Sequence, residues 1–406
     1  MIKPNQPEGP EVQDAVPAGA WKRLAVYSAV GLVLQLDGTL ITVALPSVAH
    51  ELRVSASSSA TLLTIYFVAY ALLLLPGGVL VDRFGVRRVA LLGLGVFLTG
   101  AASGAVAGNL EQLIMARGLQ GVGAGLVSPA ALAGAVSGFP PTRRGAPLGI
   151  WGASAGVANL IGPLIGGVLT DLLGWRADWW ALVVPGVGAV AMVLLQRPAP
   201  EHDEPPGRHR APINRTVLTA AFIAALTFAV MIGSFCLLEQ YLQDSARLSA
   251  LSASAALALV ALFVALAAPM AGRLADLWGE RLVAVIGFSL AASGLALLGM
   301  PGTPLKGGFG FALLGLFGAG LGMLFAPTSR AGLNSVAGSA HGRASALLSL
   351  GRLLGAVIGA SAATVALSEG PSAAGTHQAL LVACASCVVL GLPATWGLAA
   401  RPQPSG

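Results

Sequence analysis

The chain has 406 residues, of which 55% are hydrophobic and 10% are charged, and its formal net charge is +6. An ordinary soluble domain carries about 25% charged residues, so this chain is too poor in charge to be soluble and too hydrophobic to be disordered. Its basic residues fall in short groups between apolar stretches, which does not indicate nucleic-acid binding. The composition predicts an all-α membrane protein that crosses the bilayer several times.

Twelve apolar stretches approach the roughly 20 residues that a bilayer-spanning helix needs. They are 24–47, 58–81, 88–108, 112–135, 147–172, 179–196, 216–241, 250–271, 282–300, 307–328, 343–367 and 377–398. The segment 197–215 is rich in proline and charge and divides them into two groups of six. We therefore predict a tail at 1–20, an N-terminal bundle at 21–196, a linker at 197–215, a C-terminal bundle at 216–398 and a tail at 399–406.

The two halves resemble each other in two separate segments. The segment 78–87 recurs at 272–281 with glycine, leucine, aspartate, glycine and arginine kept in place, and Asp276 corresponds to Asp82. The spaced glycines of 118–125 recur at 315–322. Two similar offsets in unrelated segments indicate an internal duplication, a known construction in membrane transporters.

The distribution of Lys and Arg predicts the orientation. Seventeen of the 23 basic residues fall on the side that holds the N-terminus, and four fall on the other side. Positive charge is retained on the cytoplasmic side, so both termini are expected to be cytoplasmic.

The segment between the second and third predicted helices resembles the G-x-L-x-D-R-x-G-x-R-R signature of the major facilitator superfamily. Its matching residues are Gly78, Asp82, Arg83, Gly85, Arg87 and Arg88. Glycine permits close helix approach, and aspartate can cap a helix or pair with a cation. The two final arginines are expected to meet lipid headgroups and acidic groups of the other half. The resemblance implies two six-helix bundles around a central cavity.

The fourth predicted helix carries Arg117 and Gln120 in a sequence that is similar to the superfamily's R-x-x-Q-G signature. A membrane-buried arginine is expensive unless it faces a partner or a cavity. The resemblance implies a role for Arg117 in proton coupling, with Gln120 as a candidate substrate contact. The alternative is a hydrogen-bond anchor between helices.

The fifth predicted helix contains Gly162, Pro163, Gly166 and Gly167, which resemble the end of an antiporter signature, G-P-x-x-G-G. This resemblance implies export. Small residues four apart also allow ordinary close helix packing, which is the alternative.

The first predicted helix carries Asp37 in a sequence that resembles the L-D-x-T-x-x-x-V-A-L-P signature of a drug:proton antiporter family whose members usually have fourteen helices. An ionised aspartate in mid-membrane must face water, be protonated or pair with a cation. We therefore expect Asp37 to take up and release protons, with helix packing as the alternative.

Further candidates lie in the second half. Gln240 and Gln243 match a Q-Y-L-Q pattern common in this family, and Glu239 beside them could bind a cationic substrate or simply reach the membrane surface. Arg352 lies in a sequence similar to the family's R-Q-x-G pattern and is an intramembrane cation that needs a partner.

These features predict a bacterial cytoplasmic-membrane transporter that exports lipophilic or amphipathic small molecules in exchange for protons. No catalytic site, cofactor or metal is expected, and the protein is expected to be monomeric. Two alternatives stay open: a proton-coupled importer or facilitator of the same fold, and a membrane sensor that transports nothing.

Overall fold

The computed structural model describes residues 16–196, 213–242, 250–300, 308–367 and 373–398. Twelve helices in these ranges are long and apolar enough to cross a membrane. The first six are α1 (Ala18–Leu52), α2 (Ala56–Phe84), α3 (Val86–Ala105), α4 (Leu110–Val136), α5 (Gly145–Leu173) and α6 (Arg176–Leu195). The second six are α7 (Arg215–Gln240), α8 (Ala250–Trp278), α9 (Glu280–Leu298), α10 (Gly308–Asn334), α11 (His341–Ala366) and α12, which begins as Ala373–Ser386 and continues through a π-helical segment at Cys387–Gly391.

The prediction of an all-α fold with twelve spans in two six-helix bundles is confirmed. Most of the predicted linker and most of both predicted tails lie outside the described residues. The exact domain boundaries therefore stay predictions.

Polar caps and glycines place several helix ends. The side chains of Ser55, Asn109 and Asn214 each accept a hydrogen bond from a backbone N–H in the first turn of α2, α4 and α7. These bonds satisfy donors that a helix start otherwise leaves unpaired. Gly85 and Gly279 both have a φ near +80°, with values of 83° and 84°, so the duplicated segment makes the same turn twice.

The glycine-rich helices α4 and α10 are the most buried of the twelve. A Cβ placed on Gly125 would lie 2.6 Å from the Cβ of Leu73, and one on Gly322 would lie 2.6 Å from the carbonyl oxygen of Val264. Equivalent glycines therefore let α4 approach α2 and let α10 approach α8 at equivalent depths. The duplication seen in the sequence is also a duplication of packing.

The two bundles meet at the end of the molecule that holds residues 16 and 398. Asp82 of α2 accepts hydrogen bonds from the backbone N–H groups of Gly342 (2.7 Å) and Arg343 (3.3 Å) at the start of α11, and it pairs with the Arg343 side chain at 2.7 Å. A carboxylate at a helix N-terminus is stabilised by unpaired N–H groups and by the helix dipole. This ion pair crosses the interface between the bundles.

Asp276 of α8 makes the matching contact. It accepts hydrogen bonds from the N–H groups of Gly145 (2.8 Å) and Ala146 (3.2 Å) at the start of α5. Nε of Arg330 lies 3.1 Å from Asp276, and Nη1 of the same arginine bonds Glu280 at 2.6 Å. Each bundle therefore caps a helix of the other, and together the two caps close one end of the interface.

Arg144 adds a third contact at this closed end. Its guanidinium donates to Asn334 (3.0 Å) of the other bundle and to the carbonyl of Phe139 (3.1 Å). Burial, and secondarily the nearby Arg330, lower the pKa of Arg144 to about 10, so it remains a cation at neutral pH.

Candidate functional site

A cavity of about 260 Å³ lies between the bundles. Its walls come from α1, α2, α4 and α5 of the first bundle and from α7, α8, α10 and α11 of the second. Most of its lining is apolar or aromatic, with a small number of polar groups. That composition is typical of a site for a small organic molecule, and the volume is near the lower end for such sites.

A fully buried ion pair lies behind the cavity wall in the first bundle. Nη1 of Arg117 lies 2.8 Å and 3.0 Å from the two carboxylate oxygens of Asp37, and both side chains have 0% exposure. Gln120 donates to Asp37 at 3.1 Å and accepts from Arg117 at 3.1 Å. The three residues that the sequence singles out on α1 and α4 thus form one hydrogen-bonded cluster.

Tyr66 of α2 connects this cluster to the cavity. Its side chain lines the cavity and hydrogen-bonds Asp37, and the Arg117 guanidinium carbon lies 4.1 Å from the centre of its ring. Gly38 and Thr39, the two residues after Asp37, also line the cavity. A molecule in the cavity would therefore touch groups that touch the ion pair.

The cluster is not complete in this state. Nη2 of Arg117 is buried and has no hydrogen-bond partner among the residues that the structure describes. A buried donor left unpaired costs about 1–3 kcal/mol, more when it is charged. The cluster therefore has spare donor capacity when Asp37 is paired as seen here.

Arg352 of α11 faces the cavity from the other bundle. It is 8% exposed, donates to Ser329 at 2.6 Å and lies over the ring of Trp151, with 5.2 Å between the guanidinium carbon and the ring centre. No carboxylate in the described ranges forms an ion pair with it. The sequence predicts that this cation needs a partner. In the structure its neighbours are the hydroxyl of Ser329 and the ring of Trp151.

The other predicted substrate contacts that the structure describes do not line the cavity. Gln120 belongs to the Asp37 cluster, and neither Glu239 nor Gln240 is among the cavity-lining residues. Glu239 is exposed at the end of α7, and Gln243 lies outside the described residues. Of the five residues predicted to bind substrate, Arg352 is the one that lines the described cavity.

The antiporter-like segment of α5 packs against α1. A Cβ on Gly162 would clash with the Thr39 side chain, and one on Gly166 would lie 3.2 Å from a methyl of Leu40. Gly167 has open space beside it, and Pro163 lies inside the continuous helix α5. This segment therefore holds α5 close to the helix that carries Asp37.

The basic residues of the 78–88 segment differ in their surroundings. Gly78 packs closely on Gly342, Arg83 lies over the ring of Phe84, and Arg88 is exposed. Arg87 donates to the last carbonyls of α6 within its own bundle, including Leu194 at 2.8 Å. The expected contact of Arg87 with acidic groups of the other half is therefore not observed.

Several residues that line the cavity were not predicted from the sequence. Trp151 and Asn159 of α5, Phe325 of α10 and Tyr66 of α2 line the cavity. The aromatic residues could not be told from other membrane-facing apolar residues. The signal that could have found Asn159 was its amide in an otherwise apolar helix.

Comparison with known proteins assigns the chain to a family. The profile of the Major Facilitator Superfamily matches residues 27–360 and 217–406. The chain therefore belongs to the major facilitator superfamily.

Among curated relatives, the puromycin resistance protein pur8 of Streptomyces alboniger is 37% identical over 211 residues, which is 52% of this chain and 41% of that protein. The methylenomycin A resistance protein of Bacillus subtilis is 33% identical over 187 residues, 46% of this chain and 40% of that protein. The matches to these two thus span about two fifths of each relative's length. The riboflavin transporter RibZ of Clostridioides difficile is 26% identical over 381 residues, 80% of this chain and 83% of that protein.

Solved structures agree on the fold. The human organic anion transporter MFSD10 matches with a TM-score of 0.76 at 17% identity, covering 94% of this chain and 100% of that one. The E. coli fucose:proton symporter FucP matches with a TM-score of 0.74 at 14% identity, covering 93% and 98%. At this identity the likeness concerns the fold alone.

Proposed function

We propose that this chain is a proton-coupled secondary transporter that exports lipophilic or amphipathic small molecules by alternating access. The observation that carries the proposal is the buried Asp37–Arg117 pair, which shares Tyr66 with the cavity between the bundles. The proposal places both termini in the cytoplasm, so the end that the Asp82 and Asp276 contacts close is the cytoplasmic end.

Asp37 is the proposed proton site. Protonation would remove its charge, weaken its bonds to Arg117 and leave the arginine charge uncompensated in a dry environment. Because Tyr66 contacts both groups, that change would reach the cavity wall. In this state the pair is sealed from solvent, so proton exchange takes place in another state of the cycle.

Rocking of the bundles is the proposed conformational change. The helix caps made by Asp82 and Asp276 close the cytoplasmic end, and opening that end requires both sets of hydrogen bonds to break. The inward proton gradient supplies the free energy, of which the voltage part is about 2.3 kcal/mol per charge per 100 mV.

Import is a second candidate function. Its support is the match to the riboflavin transporter RibZ, which is named for a metabolite rather than for drug resistance and extends over 80% of this chain, whereas the resistance proteins match about half of it. Export is favoured by the resemblance of the α5 segment to an antiporter signature and by the resistance proteins among the relatives.

Direction and coupling are tested together in everted membrane vesicles from cells that express the full chain. A growth-tolerance panel first selects a toxic compound, which is then supplied in radiolabelled form. We expect uptake when respiration acidifies the vesicle lumen, and loss of uptake when a protonophore collapses the gradient. Accumulation driven by a proton gradient of the reverse sense would establish import instead.

Asp37→Asn is the variant that tests the proton site, and Asp178→Asn is its matched control. Asp178 is equally buried in the same bundle, but it bonds Thr170 and does not line the cavity. We expect Asp37→Asn to abolish gradient-driven uptake at normal abundance and Asp178→Asn to retain it. Full uptake by Asp37→Asn would remove Asp37 from the mechanism.

A further inference from the structure

The buried arginines of the two bundles that lie near the cavity are neutralised to different degrees. Arg117 has Asp37 as its counter-charge, so their cluster has no net formal charge. Arg352 has no such partner in the described part of the chain. Among the described residues that line the cavity, it is also the one with a formal charge. The described cavity lining therefore carries a single positive charge that no carboxylate compensates.

Arg352 keeps N–H donors that form no hydrogen bond with the described residues. A guanidinium has five N–H donors, and the hydrogen bond found for Arg352 is the one from Nη2 to Ser329. Trp151 and Phe325 lie near it, with ring centres 5.2 Å and 6.0 Å from the guanidinium carbon. Stacking on aromatic faces orients a guanidinium without using its N–H groups. The remaining donors are thus available to a molecule in the cavity.

A buried cation in this position selects by charge. A cationic molecule would be repelled, and a neutral one would leave the guanidinium without a counter-charge. An anion would form charge-assisted hydrogen bonds, which planar guanidinium makes especially well with carboxylate, sulfonate or phosphate groups. The surrounding apolar and aromatic walls, which include Phe228 and Phe235, suit the body of such a molecule.

We propose that the transported substrate is an organic anion with an aromatic or polycyclic body, and that Arg352 binds its acidic group. This inference names the substrate class of the proposed export function and rests on it. It differs from the expectation that Glu239 recognises a cation, because Glu239 is exposed at the end of α7 and does not line the cavity.

The test uses one ring system in three charge states: 2-naphthoate, its uncharged methyl ester and 2-naphthyltrimethylammonium. Equilibrium binding to the purified full chain in lipid nanodiscs is measured by calorimetry. We expect the wild-type protein to bind the anion roughly tenfold or more tightly than the ester. A hydrogen bond to a charged group typically changes an affinity by about that factor. The trimethylammonium compound should bind more weakly than the ester.

Two variants assign the preference to Arg352. Arg352→Met keeps the length and apolar stem, and it should bring the anion-to-ester affinity ratio to about one while the ester still binds. Arg352→Lys keeps the charge but not the planar fork, and it should retain part of the preference. The ratio within each variant removes any general effect on folding, and a variant that cannot be purified leaves the wild-type charge series to decide.

Several outcomes would overturn the proposal. These are an anion-to-ester ratio near one in the wild type, tighter binding of the trimethylammonium compound, no binding of any of the three, or an unchanged preference in Arg352→Met. The export proposal fails separately, because the binding assay depends on neither a proton gradient nor direction. Asp37→Asn should keep the anion preference even though it loses gradient-driven uptake.

Discussion

The helices α4 and α10 occupy equivalent places in the two bundles but carry their buried arginines at opposite ends. Arg117 lies in the first third of α4, where it pairs with Asp37 beside the cavity. Arg330 lies in the last two turns of α10, where it pairs with Glu280 at the closed end. At the place that Arg117 takes in the duplicated segment, α10 has Leu314, which is fully buried among apolar residues.

The two buried arginines therefore have different roles: Arg330 stabilises the closed interface between the bundles, and Arg117 belongs to the cluster beside the cavity. Arg330 also donates to the carbonyls of Pro141 and Thr142 in the other bundle, at 3.4 Å each, so it supports the closed interface. Within the described part of the chain, the hydrogen bonds of Arg117 are all with residues of its own bundle. The duplication thus preserved the glycine packing of both helices, while the charge beside the cavity remained in one of them.

The largest stability effect is expected for Arg330→Gln. Asp276 and Glu280 would both lose their cation, and removing one partner of a buried pair typically costs about 3–5 kcal/mol. Thermal unfolding of the purified protein measures the loss. Adding Glu280→Gln should recover part of the stability, and a melting temperature that is unchanged in the single variant would contradict a structural role.

A slightly smaller loss is expected for Arg117→Gln, because one carboxylate rather than two is left without a cation. The double variant Asp37→Asn/Arg117→Gln removes both charges, so it should be more stable than Arg117→Gln. The same double variant should show no gradient-driven uptake.

Recovered stability together with absent transport in this double variant would show that Arg117 has a role in transport besides its role in stability. Additive destabilisation in the double variant would show that the two side chains do not interact energetically. Normal uptake by the double variant would show that the pair has only a structural role.

Much of the fold could be predicted from sequence because bilayer thickness fixes the length of an apolar helix. The proline- and charge-rich segment at 197–215 also marked the division into two groups of six. The duplicated segments indicated that Asp82 and Asp276 have equivalent surroundings, and each caps a helix of the other bundle.

The candidate site was less accessible to sequence reasoning. Asp37 and Arg117 were each recognisable as costly intramembrane charges. They lie 80 residues apart in the chain, however, and the sequence has no signal that predicts their contact. The family resemblance made Gln120 a candidate substrate contact, and the sequence did not indicate its hydrogen bond to Asp37. The cavity walls depend on which face each apolar helix presents, and uniformly apolar helices give no periodic signal for that.

The most direct test of the account is an infrared titration of the purified protein that follows the carbonyl band of protonated carboxylic acids. The wild-type titration should contain one component of this band that Asp37→Asn lacks, whereas Asp178→Asn should keep that component even though it loses the contribution of Asp178 itself. Identical titrations of the wild type and Asp37→Asn would contradict the assignment of Asp37 as the proton site.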